Sequence, residues 1–209
     1  MAITLYDLAP SPNNVKVRLG LGFKSLRYER VAVDPADRTK VIEVSGQPRT
    51  PVLVHDDRVM FDSSAILRYL DANFRETPRL FSADYDEMGV IERWELFSKT
   101  DLAPAVGAVF GQFFRGQSDA LALASAASAL ARAAGEIERA LEDGDGWLVG
   151  GRLTAADLCC AAFAFYGAIP ATAAARWAPV GPFFEQHFRL AEGYPRTREW
   201  IARTIAFDR

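Results

Sequence analysis

Between Val15 and Phe23 the chain alternates strictly. Val15, Val17, Leu19, Leu21 and Phe23 are separated by Lys16, Arg18, Gly20 and Gly22. Such alternation marks a half-buried strand. The same residues also form two rows on a helix, Val15, Leu19 and Phe23 at i, i+4 and i+8, with Val17 and Leu21 beside them. Two rows suit a helix buried on both sides. Gly20 and Gly22 would cost that helix about 1 kcal/mol each against alanine, and would let another backbone approach closely. The pattern alone leaves strand and helix open.

The neighbouring segments are plainer. Residues 2–8 and 28–33 read as short strands, with a loop after the second. Pro51 to Phe61 has two apolar runs around His-Asp-Asp-Arg, a hairpin signature. "DSSAILRYLDANF" opens with cap-type residues and sets Ile66, Leu67, Leu70 and Phe74 at helical spacing. The first part is therefore α/β. Past Thr77-Pro78-Arg79 the character changes to long alanine-rich stretches without strand-like alternation, and alanine has the best helix propensity. "TAADLCCAAFAFYGAI" reads as a buried helix, and Pro195 opens a last one. The expected organisation is an α/β domain over 1–76, a linker over 77–83 and an all-helical domain over 84–209, within usual domain sizes.

Composition narrows the chemistry. The 209 residues are half hydrophobic and carry a net charge of -3. The balance is +1 over residues 1–78 and -4 beyond, which gives no basic footprint for nucleic acid. No signal-peptide pattern is read at the start, and no apolar run is read as long enough for a membrane span. Cys159 and Cys160 are adjacent, a spacing that suits neither a disulfide nor a metal site. They read as small buried hydrophobes in a reducing, cytoplasmic setting. With His55 and His187 the only histidines, a histidine-based triad or zinc site is disfavoured.

Four stretches, in order, carry a resemblance to a known family. They are "SPNNVKVRLGLGFKSLRYE", "RTPVLV", "FDSSAILRYL" and "WLVGGRLTAADL". Each is common alone; their order and spacing resemble the cytosolic glutathione transferases over nearly the whole chain, in a serine-type, bacterial-like version. The resemblance implies a thioredoxin-like N-terminal domain of order β-α-β-α-β-β-α followed by an all-α domain, usually in a homodimer. It also implies that the opening stretch is a helix.

Glutathione chemistry needs the thiolate, because the thiol is a poor nucleophile. Lowering a pKa of about 8.5 by two units takes roughly 2.7 kcal/mol of selective stabilisation. A hydroxyl donor at a helix N-terminus is a suitable source. By resemblance Ser11 is the thiolate donor; read by itself it is a turn or cap serine before Pro12. Asn13 could reach the sulfur or cap the helix. Tyr6 is the rival donor, as in other classes of the family. Thr50, pushed towards extended geometry by Pro51, would pair with the glutathione backbone, and Pro51 would be cis. Arg49 falls near the expected glycine carboxylate, although Gln47-Pro48-Arg49 departs from the family's glycine-containing loop. Asp62 and Ser63 open the third helix, where N–H groups and the Ser63 oxygen form an anion site for the γ-glutamyl end. Thr154 and Asp157 form a capping motif without catalytic role. Phe110 and Phe114, with Pro12, are candidates for the second-substrate pocket, although an aromatic stripe is more often core than substrate wall. Trp94 reads as packing.

The resemblance thus implies transfer of the glutathione thiolate to a small apolar electrophile, as in detoxification, with glutathione as co-substrate and no metal. The alternatives are a non-catalytic binding or scaffold protein on the same fold, or a glutathione-dependent isomerase, dehalogenase or peroxidase.

Overall fold

The structure is a computed structural model that describes residues 2–143, 145–169, 177 and 180–208. It divides into two compact units, Met1–Phe81 with Phe207–Arg209, and Ser82–Ala206.

In the first unit β1 (Ile3–Asp7) is followed by α1 (Pro12–Phe23), β2 (Glu29–Ala32), α2 (Thr39–Ser45), β3 (Val52–His55), β4 (Arg58–Phe61) and α3 (Ser63–Asn73). The strands form one sheet of order β2-β1-β3-β4. β1 runs parallel to β2, with Thr4 opposite Glu29, and antiparallel to β3, with Leu5 opposite Leu53. β3 and β4 make the expected hairpin, turning at Asp56 with φ +53°. The core joins Ile3, Leu5 and Leu53 of the sheet to Val17 and Leu21 of α1 and Ile66 and Leu70 of α3.

The stretch that periodicity left open is a helix. Val15, Val17, Leu19 and Leu21 are all fully buried, and so are Lys16 and Arg18 between them. The alternation therefore does not separate a buried from an exposed face, which is the assumption behind its strand reading. Gly22 has the use foreseen for it: an added Cβ would sit 1.8 Å from the Phe207 carbonyl oxygen. The segment read as a loop after β2 contains α2, closed by Gly46 at φ +72°. The stretch expected as linker is bound down on this unit as far as Phe81. Pro78 O accepts from Lys24 Nζ at 2.8 Å, the Leu80 N–H donates to Asp71 at 2.7 Å, and Phe81 lies under Arg68.

The second unit contains α4 (Tyr85–Phe97), a π-helical turn (Ser98–Leu102), α5 (Ala103–Phe114), α6 (Ala120–Asp143), α7 (Ala155–Ala164) with a 3-10 turn after it (Phe165–Gly167), α8 (Val180–His187) and α9 (Pro195–Ile205). Helix α8 was not foreseen from sequence. All ten residues of α7 are buried. Its start carries the predicted capping box, and Asp157 accepts from the N–H groups of Leu148 and Thr154 and from Trp200 Nε1 at 2.8–3.0 Å. Burial nevertheless pushes the Asp157 carboxyl above its usual range, against those donors.

One expectation needs correction. Helix α6, 24 residues long, is apolar and long enough by length and composition alone to cross a membrane. Its alanines raise the apolar content, while Leu123, Leu130, Ile137 and Leu141 face inward and serve as the core row of an amphipathic helix. Both cysteines are buried thiols outside any disulfide, with Cys159 Sγ 3.8 Å from Glu95 and Cys160 Sγ 3.5 Å from the Trp94 carbonyl.

Candidate functional site

Helix α1 begins at Pro12, whose missing N–H suits the first helical position. Ser11 is therefore the N-cap, in extended geometry at φ -87° and ψ 124°. Its carbonyl accepts from the Asn14 and Val15 N–H groups and its own N–H donates to Leu8 O. Its side chain makes no capping bond. A serine here ordinarily turns its oxygen onto the helix N–H groups. This half-buried hydroxyl instead stands uncommitted at the positive end of the helix dipole.

Asn13 does not cap either. Its Oδ1 accepts from Ser63 Oγ at 3.2 Å, and Ser63 Oγ accepts from Lys16 Nζ at 3.1 Å. Lys16, Ser63 and Asn13 thus form a chain linking the starts of α1 and α3. The next residue, Asn14, is fully buried. It accepts from the Leu8 N–H at 3.2 Å and donates to Thr50 Oγ1 at 3.0 Å, tying the Ser11 loop to the segment before β3. The Thr50–Pro51 peptide is cis. Among the described residues no protein group pairs with the Thr50 backbone, which leaves its N–H and C=O open.

The loop before Thr50 is built differently from the family's usual one. Gln47 donates to Arg49 O at 3.0 Å and accepts from the Arg49 N–H at 2.7 Å, and it also donates to Ser45 Oγ. Its amide is spent on the turn. The exposed Arg49 guanidinium has no partner among the described residues.

Asp62 is the N-cap of α3 and Ser63 its first residue. Asp62 is held at φ +103°, a region L-residues rarely adopt and one that costs on the order of 1–3 kcal/mol. Its Oδ1 accepts from the Ser64 and Ala65 N–H groups at 3.0 and 2.9 Å. Those donors are taken by the protein's own carboxylate, so an incoming anion would find Ser63 rather than the whole helix end. The neighbouring Ser64 hydroxyl is buried without a hydrogen-bond partner among the described residues. Tyr6 alternates onto the opposite face of the sheet from Leu5 and Asp7, away from the face that carries α1. Among the described residues no group of three or more His, Cys, Asp or Glu side chains could hold a metal ion.

In the second unit Phe110 turns into an aromatic cluster, 5.2 Å from Tyr166 and 4.8 Å from Phe184 between ring centres. Phe114 stacks on Phe110 at 5.7 Å and is 61% exposed.

The residues that sequence reasoning missed are Asn14 and Lys16. The available signal was a set of polar side chains in a helix with apolar residues on both sides: such groups need partners, and here the partners include Thr50 and Ser63.

An uncommitted hydroxyl at a helix start, a cis-proline and a capped second helix start occur together in a four-stranded α/β unit. The family profile described as "Glutathione S-transferase, N-terminal domain" matches residues 5–78, and "Glutathione S-transferase, C-terminal domain" matches residues 96–207. The chain belongs to the glutathione S-transferase family. It is similar to glutathione S-transferase U2 of Arabidopsis thaliana, with 30% identity over 96 residues, 45% of this chain and 42% of that one. It is similar to the transcriptional regulator URE2 of Saccharomyces cerevisiae, with 27% identity over 151 residues, 67% of this chain and 43% of that one. The structure of Ure2p in complex with glutathione matches with a TM-score of 0.74 at 24% identity, over 98% of this chain and 89% of that one. The Tau class glutathione S-transferase of mango, Mangifera indica, matches with a TM-score of 0.75 at 18% identity, over 98% and 89%. The chain spans about half the length, 42–48%, of the curated relatives that match it first.

Proposed function

We propose that this glutathione S-transferase family member is a serine-type transferase. Ser11 donates its hydroxyl hydrogen to the glutathione sulfur and favours the thiolate, which attacks a small apolar electrophile. The observation that carries this reading is the Ser11 hydroxyl, which stands at a helix N-cap and makes no cap. A hydroxyl donor and the α1 dipole together are of the size needed, since a charge-assisted hydrogen bond contributes about 1.5–3 kcal/mol and a helix end about 0.3–1 kcal/mol. The open Thr50 backbone receives the cysteinyl backbone, Asp62 and Ser63 the γ-glutamyl end, and Arg49 the glycine carboxylate. Asn13, bonded to Ser63, belongs to the γ-glutamyl side rather than to the sulfur. Pro12, next to Ser11, is the proposed wall for the electrophile on the first unit. The enzyme acts as a cytoplasmic homodimer, with residues 1–76 as its glutathione-binding domain.

Ser11→Ala tests this directly. Conjugation of a chloronitrobenzene should fall about a hundredfold in kcat/KM at neutral pH, and the ultraviolet absorbance of the bound thiolate should be lost. Unchanged turnover with unchanged absorbance removes Ser11 from the mechanism.

A second reading, a glutathione-binding protein without turnover, is favoured by the similarity to a relative named as a transcriptional regulator. Calorimetry separates the two. Glutathione binding without conjugation of any electrophile supports the regulator, and no binding at millimolar glutathione removes both.

A further inference from the structure

Arg18 is fully buried, and its guanidinium meets Asp7, Ala9 and Asp208, all within the first unit. Nε and Nη2 donate to the two oxygens of Asp208 at 2.7 and 3.0 Å, and Nη1 donates to Asp7 at 2.5 Å. Nη2 also lies 3.5 Å from the carbonyl of Ala9. Arg30 holds the other oxygen of Asp7 at 2.6 Å, so two guanidinium groups face two carboxylates. A bidentate fork of this kind fixes orientation as well as supplying energy. Burial alone would lower the Arg18 pKa; Asp208 and Asp7 reverse this and hold it above its ordinary value.

Asp208 comes from the short segment after α9, 190 residues away in sequence. That segment is seated by its backbone. The Phe207 carbonyl occupies the place a Cβ at residue 22 would need, and the Phe207 ring meets Phe23 edge-on at 5.4 Å. Ala9, in turn, sits two residues before Ser11 in the connection between β1 and α1. Two side chains of α1 reach that connection: Asn14 holds the Leu8 N–H, and Arg18 faces the Ala9 carbonyl.

We propose that Arg18 and Asp208 are positioning residues for the Ser11 hydroxyl. Asp208 orients the Arg18 fork, Arg18 holds Asp7 and the Ala9 carbonyl, and Ser11 is set where its hydroxyl meets the glutathione sulfur. Displacing a catalytic group through its support raises the barrier without removing the group. The inference rests on reading Ser11 as the thiolate donor.

Asp208→Asn keeps the shape and removes the charge. Its expected signature is a bound-glutathione thiol that titrates at higher pH and a kcat/KM about tenfold lower at neutral pH, with the deficit closing as pH rises. Asp208→Glu should restore most of the loss. Gly22→Ala, which displaces the Phe207 carbonyl without touching a charge, should act in the same direction. A second readout needs no glutathione. Amide exchange at Ser11, whose N–H donates to Leu8 O, should quicken in Asp208→Asn while exchange at Ile66 to Leu70 of α3 stays unchanged. Exchange that quickens equally across the unit, or an unchanged Ser11 amide in a folded variant, overturns the proposal. If the parent protein holds no glutathione thiolate, the functional reading fails, and the exchange experiment still decides whether Asp208 controls the Ser11 loop.

Discussion

Helix α7 buries ten residues of which only Asp157 carries a charge, whereas α1 buries Asn14, Lys16 and Arg18 among its valines and leucines. Both lack a proper solvent face, and each meets its polar demand differently. In α7 the polar groups lie at the helix start, where Thr154 and Asp157 satisfy each other and nearby N–H groups, with Trp200 added. In α1 they recur along the helix, with partners that include residues 36, 47 and 190 positions away. A buried ion pair is weak evidence for stability, because a well-packed hydrophobic replacement is often neutral or better. The α1 charges are better understood by what they hold in place, which is the Ser11 loop and the start of α3. The α7 carboxylate holds the fold of its own unit.

That contrast can be broken by substitution. The largest effect is expected at Asp157→Ala, which leaves the Leu148, Thr154 and Trp200 donors without an acceptor. Urea unfolding should lose about 3 kcal/mol of stability; a loss near zero would mean that the cap is not what secures α7. Next, Lys16→Met should be close to neutral in the same unfolding assay, while glutathione affinity by calorimetry falls about tenfold, or about 1.4 kcal/mol. If stability drops and affinity does not, α1 resembles α7 after all. Cys159→Ala, a small deletion in the packed wall of α7, should cost about 1 kcal/mol and leave glutathione affinity unchanged.

The smallest effect concerns the end of α1, where Lys24 meets Asp71 at 3.0 Å. Burial tends to raise the Asp71 pKa, but the Leu80 N–H, Arg79 and Lys24 outweigh it and hold the carboxyl below its ordinary 3.8. A folded-state pKa lower than the unfolded one gives stability that is fully present above about pH 4 and is lost as pH falls through the folded value. Asp71→Asn should therefore be less stable than the parent at neutral pH, with the difference closing in acid. A constant difference across that range would remove Asp71 from the acid response.

Much of the fold could be read from the chain. The β3–β4 hairpin announced itself by two apolar runs around four polar residues, and α3 and the α7 capping box by spacing. Helix α1 was ambiguous because period-two alternation reports a half-buried strand only when the intervening residues face water. Lys16 and Arg18 do not, and the groups that make their burial tolerable, Ser63 and Asp208, lie far along the chain. Ser11 was legible as a candidate through the resemblance. That its hydroxyl leaves the helix uncapped was not legible, because sequence gives the residue at an N-cap but not the rotamer. Asn14 and the closed Gln47 turn were hidden for the same reason: both depend on side-chain directions set by tertiary neighbours.

The Gln47 clasp has a consequence for how this protein can change. One side chain holds both the N–H and the C=O of residue 49, so the backbone there keeps its course whatever side chain it carries. The guanidinium of Arg49 is then a detachable fitting on a fixed mount. On the role proposed for Arg49, substitution at position 49 should retune which acidic peptide end the protein prefers without rebuilding the turn.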